Sequence, residues 1–251
     1  MKKILILLIM SCLGFSETSN RIFSTFALKK GNTLSIYAKS TNTVLLIQSE
    51  TTNGSTTFVD ATGKSLSNLG TAAHSTAQSK FGSSSIGLGS SGGIGIATNS
   101  DFAMGTGDFT VDFWVYFKSL SYQWFIFSCN DNFSDNFFSF NLESSSKIAT
   151  HLGPTNEYKT FTWDPVVNTW YHLAFTRSSS NLRFFANGSQ VGTTQTSIAN
   201  ITAPLLSVGC RLFITNVYEP LDGYLEEVRI TKGLARWTNN FTPPSAPDSL
   251  D

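Results

Sequence analysis

Residues Gly223–Trp237 read GYLEEVRITKGLARW, and the fold turns on how the first part of this stretch is read. Its apolar and polar residues alternate as a β-strand requires, yet two glutamates, Glu226 and Glu227, stand side by side within it. Successive strand residues point to opposite faces. Glu227 is therefore expected on one side with Leu225, Arg229 and Thr231, where an exposed ladder contact with Arg229 is worth about 0–1 kcal/mol. Glu226 is expected on the other side with Tyr224, Val228 and Ile230, which reads as the core side. Glycosidic cleavage needs two carboxyl groups about 5–9.5 Å apart in one cleft. Neighbouring strand residues cannot supply that pair without a bulge, so the glutamates are expected not to be catalytic.

The rest of the chain carries the same period. FTVDFWVYF (109–117) places Phe109, Val111, Phe113, Val115 and Phe117 on one face and Thr110, Asp112, Trp114 and Tyr116 on the other. VLLI (44–47), QWFIFSC, FFSFNLE, KIATHL, WYHLAFTR (170–177) and PLLSVGC read as further strands. Asn187-Gly188 separates two strand-like arms in LRFFANGSQVG, and both residues tolerate the positive φ of a type I′ hairpin turn. No segment has useful helical periodicity. Short strands spaced by turn residues predict an all-β sandwich or barrel, and TPPSAPDSLD reads as a tail.

Composition agrees. Charged residues make up 14% of the 251 and aromatics 13%, with 21 phenylalanines, which favours strands over disorder. The formal net charge is zero, and without a basic stripe nothing marks a nucleic-acid partner. The amino terminus, MKKILILLIMSCLGFSETSN, has two lysines, a short apolar run and then small residues. That is the layout of an export signal, too short to span a bilayer. Residues 1–16 are expected to be the signal, with cleavage after Ser16; lipid attachment at Cys12 is a second option. Residues 17–42 form a short extension. Either option places the protein outside the cytoplasm, secreted or attached to the envelope. Cys129 and Cys210 each end an apolar run, and either a disulfide between them or two buried thiols is consistent with the sequence.

Five stretches in order carry a resemblance: LLIQSETTNGSTTFVDATGK, TAQSKFGSSSIGL, TGDFTVDFWVYF, TWYHLAFTRSSSNLRFFANGSQVG and LDGYLEEVRITKGLARWTNNFTPP. Together they resemble the laminin-G-like, concanavalin A-like jelly-roll domains of secreted bacterial proteins and phage structural proteins, over residues 43–244, with 245–251 left as the tail. The resemblance implies an antiparallel two-sheet jelly-roll sandwich that binds carbohydrate or a protein surface. Laminarinase-type glucanases on a related sandwich carry alternating acidic residues on one strand, and LEEVRIT lacks that alternation. The implied role is a non-catalytic lectin-like module. Its rivals are a virion or cell-surface structural component and a hydrolase using a dispersed pair such as Asp112 with Glu143.

Fold does not fix function, so the site rests on particular residues. Tyr122, Trp124 and Trp163 lie in or beside loops near Asp131 and Asn132, where rings could stack on sugar faces and polar groups could meet hydroxyls. Trp170 and Trp237 fall at framework positions of the resemblance, and His172 reads as a framework residue beside the core. Related jelly rolls often hold a structural calcium, which wants about six to eight oxygen ligands. Glu50, Asp60, Asp222 and Glu226 are the expected ligands of one such ion. No nucleophile–base constellation or phosphate-cradling loop is legible, since the glycines of GLGSSGGIGI lead into no helix.

Overall fold

The computed structural model describes residues 42–128, 137–202, 205–213 and 216–250. The expected export signal with Cys12, the extension up to Thr41, Cys129, Asp131 and Asn132 lie outside the described residues. The strands are β1 Thr43–Ile47, β2 Leu66–Leu69, β3 Ala73–Ser75, β4 Ser85–Gly87, β5 Gly93–Ile96, β6 Phe109–Phe117, β7 Gln123–Ser128, β8 Phe137–Ser144 and β9 Lys147–Gly153. They continue as β10 Glu157–Thr162, β11 Trp170–Ser178, β12 Asn181–Ala186, β13 Ser189–Thr196, β14 Leu206–Val208, β15 Arg211–Phe213, β16 Asn216–Tyr218 and β17 Gly223–Lys232.

All pairings are antiparallel, and two sheets face each other. One runs β13-β12-β11-β6-β17-β4-β3, with β1 also on β17, and is called the front sheet below. The other, the back sheet, runs β10-β9-β8-β7-β14-β5-β2, and β15-β16 is a separate hairpin. The alternating face of β6 fills the space between them. Phe109 meets Phe138 edge-on with centroids 5.3 Å apart, Phe113 meets Phe125 at 5.3 Å, and Phe140 meets Phe175 at 4.1 Å. The Asn187-Gly188 turn takes φ of 49° and 76°, as a type I′ turn requires. Gly188 is needed twice over, because a Cβ there would sit 1.9 Å from the Phe241 carbonyl oxygen.

The strand that decides the fold is not regular. Glu226 pairs with Trp114 and Arg229 with Asp112, so Glu227 and Val228 together oppose Phe113. This is a β-bulge, with Glu227 as the extra residue in the left-handed region at φ 51°. The bulge shifts the phase of the strand. Leu225, Val228 and Ile230 all enter the core, whereas Glu226 joins Trp114 and Asp112 on the outer face. The expected assignment of Glu226 to the core side is thus corrected. Glu227 is corrected as well: it is 3% exposed and accepts hydrogen bonds from Gln48 Nε2 (2.8 Å) and Asp248 N (2.7 Å), rather than making an exposed ladder contact with Arg229.

By restoring phase, the bulge brings Arg229 onto Asp112, with Nε 3.1 Å from Oδ1 and Nη2 2.7 Å from Oδ2. His172 Nε2 lies 3.5 Å from the same carboxylate. The C-terminal segment closes over this cluster. Trp237 and Phe241 stack at 4.0 Å, both rings meet His172 edge-on, and Arg229 Nη1 reaches Asp248 at 2.7 Å. The segment expected as a tail is therefore a strap, anchored through Asp248 to Glu227, Gln48 and Arg229. On its other side Glu226 holds the loop before β4, accepting from the amides of Lys80 (2.6 Å) and Phe81 (2.9 Å). The core also contains an unforeseen charge. Arg177 is fully buried, and its guanidinium donates to the carbonyls of Gly105, Gly107 and Ala199.

The electrostatics follow from two carboxylates sharing one guanidinium. Burial alone would raise the Asp112 carboxyl, but the Arg229 charge and the hydrogen bonds from His172 and Arg229 hold it below its ordinary value. Asp248 is pushed up to about 7 by burial, against the pull of Arg229 and with the Asp112 charge adding to the rise. Glu226 is also pushed up to about 7, by burial that outweighs its two amide bonds, with the charges of Glu227 and Glu50 adding.

Two expectations result. In urea denaturation, Glu227→Val loses more stability than Glu227→Gly by about 1–2 kcal/mol, because both lose the carboxylate and only valine is strained in the left-handed region; equal losses would remove the bulge from the account. Asp248 and Glu226 bind protons more tightly folded than unfolded, where their values are near 3.8 and 4.5. Their stabilisation is complete below those values and fades as pH rises to about 7. Melting temperature should fall from about pH 5 to about pH 8, and the Asp248→Asn, Glu226→Gln variant should flatten that slope. Asp112 acts in the opposite sense, its contribution fading only as acid titrates it below its ordinary value.

Candidate functional site

The outer face of the back sheet carries the aromatic residues that the core does not take. A bulge between Trp124 and Ile126 sends Phe125 and Ile126 inward, leaving Trp124 and Phe127 outside. The register then lines up side chains across strands. Tyr158 pairs with His151, His151 with Ser139 and Ser139 with Phe127, while Trp124 pairs with Asn141. The rings form a connected patch: Tyr122–Trp124 at 5.7 Å, Trp124–Phe127 at 5.1 Å, Trp124–His151 at 5.9 Å and His151–Tyr158 at 4.9 Å. Trp124 is 5% exposed and forms the floor, whereas Tyr122 is 40% and Tyr158 46% exposed.

Polar groups are fixed around these rings. The Tyr158 hydroxyl donates to Glu143 Oε2, and His151 Nδ1 lies 2.8 Å from Asn156 Oδ1. Trp124 Nε1 donates to Glu219 Oε2 at 2.9 Å, and Arg211 reaches both oxygens of Glu219 while its Cζ lies 5.1 Å from the Tyr218 ring centroid. Glu219 holds a positive φ of 44° and also accepts from the Trp124 backbone amide. Strain of this kind persists only where surrounding contacts fix it. Asn141 is fully buried within this face, and neither its amide nitrogen nor its oxygen has a partner among the described residues. Most buried polar groups in folded proteins do have one.

Two of the expected ligand-binding residues, Tyr122 and Trp124, are thus brought together. Trp163 is not with them. Its ring packs inward against Tyr171 (5.1 Å), Phe184 (5.6 Å) and Phe117 (6.1 Å), because it follows Phe161 down the end of the sandwich. Asp131 and Asn132 lie outside the described residues. His151, Tyr158, Arg211 and Glu219 were missed, and Glu143 was named only as half of a hydrolytic pair with Asp112. The one available signal was the alternation of KIATHL and EYKTFT, which puts His151 and Tyr158 on one face once the strands pair.

The four expected calcium ligands do not converge. Asp60 accepts from the amides of Leu46, Thr62 and Lys64, Asp222 faces Lys118 at 3.5 Å, and Glu50 and Glu226 hold the loop before β4. Among the described residues no three His, Cys, Asp or Glu side chains gather around a common point, so this set does not fit one shared ion. The dispersed hydrolytic pair fails on geometry too, since Asp112 is buried on the outer face of the front sheet and Glu143 belongs to the back sheet. Ser49 Oγ lies 2.6 Å from His74 Nδ1, but His74 Nε2 faces the Thr57 carbonyl, so no carboxylate backs that histidine. Cys210 is a buried free thiol pushed up to about 12 by burial, against a hydrogen bond with Ser207.

Two packed antiparallel sheets define a jelly-roll sandwich. Residues 88–235, more than half the chain, match the family model of the concanavalin A-like lectin/glucanases superfamily, and the chain belongs to that family. No curated protein matches it. Among solved structures it is similar to botulinum neurotoxin type C, whose cell entry depends on interaction with two ganglioside molecules, at TM-score 0.56 and 17% identity, covering 78% of this chain and 49% of that one. It is also similar to domain 4 of AbnA, an extracellular arabinanase of Geobacillus stearothermophilus solved with arabinotriose, at TM-score 0.53 and 18% identity, covering 70% and 87%. The binding domain of botulinum neurotoxin serotype D matches at TM-score 0.57 and 14% identity, covering 77% and 49%. The chain spans about half the length of the neurotoxin chains, and at these identities the likeness is one of fold.

One electrostatic feature of the site is directly measurable. The Tyr158 phenol is raised from 10.0 to about 12 by burial and by its hydrogen bond to Glu143. An ultraviolet titration of phenolate should show Tyr158 ionising late, alongside Tyr122, whose phenol is also raised by burial and by the Glu219 charge. Glu143→Gln should bring Tyr158 back toward the ordinary value, and an unchanged titration would separate the two groups.

Proposed function

We propose that this chain is an exported, non-catalytic carbohydrate-binding module whose ligand lies on the outer face of the back sheet. The observation that carries the reading is the convergence of two exposed rings, Tyr122 and Tyr158, over the Trp124 floor, within reach of Glu143, Glu219 and Arg211. Sugar rings have apolar C–H faces that such rings cover, and carboxylates and guanidinium satisfy hydroxyls at the edges. The ganglioside-dependent neurotoxin and the arabinotriose-bound arabinanase domain support the ligand class by likeness of fold. The absence of catalysis is inferred from occupancy: Glu143 is engaged by Tyr158, and Glu219 by Arg211 and Trp124. Export is inferred from the amino-terminal lysines and apolar run. Among the described residues no helix is long and apolar enough to cross a membrane.

The test is a glycan array on the purified chain, followed by calorimetric titration of the best ligand. Each exposed ring contributes about 0.5–1.5 kcal/mol, so Tyr122→Ala with Tyr158→Ala should weaken binding about tenfold or more. The same ligand incubated with the protein should release no reducing ends. A silent array, or a double variant that binds like the parent, would overturn the assignment. Released reducing ends would return the domain to the glucanases.

A further inference from the structure

The front sheet carries a second aromatic strip that the strap leaves uncovered. Tyr116 on β6 pairs with Trp170 on β11 and with Tyr224 on β17, so three rings cross three adjacent strands in one row. Tyr116 lies 5.6 Å from Trp170 and 5.8 Å from Tyr224, centroid to centroid, tilted by 59° and 69°. All three are half-exposed, although they share a sheet face with the buried Asp112 and Trp114. The strap rings lie on His172 and Phe185, and Lys80 and Phe81 lie on Trp114. The Tyr116 row is the next one outward.

This row continues into a groove. Tyr224 pairs with Gly87 on β4, and Gly87 with Ala73 on β3, so the sheet beyond the tyrosine has almost no side chains on its surface. A Cβ at Gly87 would stand 3.4 Å from the Tyr224 ring and 3.2 Å from the Ser75 Cβ. The resulting groove, about 320 Å³, has Tyr224 as its wall and Asn53, Ser75 and Lys118 among its polar lining. The Trp170 indole nitrogen is buried without an acceptor among the described residues, so this residue offers the strip its ring and not its N–H. The Tyr116 hydroxyl meets Asn168 only at 3.4 Å.

We propose that this strip and groove form a second saccharide site, on the sheet opposite the first, which takes a short neutral oligosaccharide. The ligand would lie along the Trp170–Tyr116–Tyr224 row, with its apolar faces on the rings and one end in the Gly87 groove. Hydroxyls would meet the amides of Asn53 and Asn168 and the Lys118 ammonium. Among the described residues the one ion pair at the rim, Lys118 with Asp222, is neutral overall, which favours an uncharged sugar over an acidic one. Corrugated rings with open edges suit pyranose or furanose units better than a flat protein surface, which would need a larger apolar area. A domain with two such faces would bridge glycan chains.

The site is tested with the full chain carrying Tyr122→Ala and Tyr158→Ala, which weakens the back-sheet face. Arabinotriose, cellotetraose, xylotetraose and laminaritetraose are titrated calorimetrically into this background. The expected result is residual binding of at least one of them, lost or weakened at least tenfold by Trp170→Ala or Tyr224→Ala. Trp170→Phe should retain most of it, and Lys118→Ala should weaken it with an unchanged melting temperature. No binding of any probe to this background, or binding unaffected by both Trp170→Ala and Tyr224→Ala, overturns the second site. A failure of the first face appears separately, as parent protein that binds no more tightly than the double variant.

Discussion

A single buried contact, Arg229 on Asp112, organises the front sheet. Breaking such a pair on one side costs about 3–5 kcal/mol, because the remaining charge stays buried without its partner. The contact exists only because the bulge at Glu227 and Val228 restores the phase of β17, so that Arg229 faces Asp112 and not the core. Once Arg229 is placed, its remaining nitrogen can hold Asp248, and the strap is drawn across the outer face. Burial of His172 and stacking of Trp237 on Phe241 follow from the same closure. One cation between two carboxylates leaves one of them favouring its proton, and the less buried Asp248 is that group.

Much of the fold was legible in the chain. The β6 strand has the expected bounds and core face, and the Asn187-Gly188 hairpin forms with both residues at positive φ. Local alternation and turn chemistry need no distant information. The bulge was not legible, because LEEVRIT holds the residues of a regular strand with one extra inserted, and only the partner strand shows which residue is extra. The strap escaped for a related reason, since Pro- and Ser-rich segments read as tails until a fixed arginine holds them. Arg177 was invisible because its acceptors are carbonyls of Gly105, Gly107 and Ala199, which carry no side-chain signature.

The site divides the same way. Tyr122 and Trp124 were readable as aromatics close together in sequence. Their neighbours Tyr158, Glu143 and Glu219 come from separate strands and hairpins and meet only through register. Trp163 shows the converse, since proximity to a loop did not stop its ring from turning onto Phe184. What emerges is a sandwich with few charges, whose excess aromatic residues lie on both outer faces. Such surfaces suit ligands that are themselves half apolar and half hydroxyl.

The most direct measurement uses the five tryptophans as reporters. Their indole N–H resonances are followed by NMR as the best array ligand is titrated into the isotopically labelled chain. Trp124 should shift with the ligand, while the packed Trp114, Trp163 and Trp237 stay still. Saturable binding that leaves Trp124 unmoved would contradict the assignment of the back-sheet face.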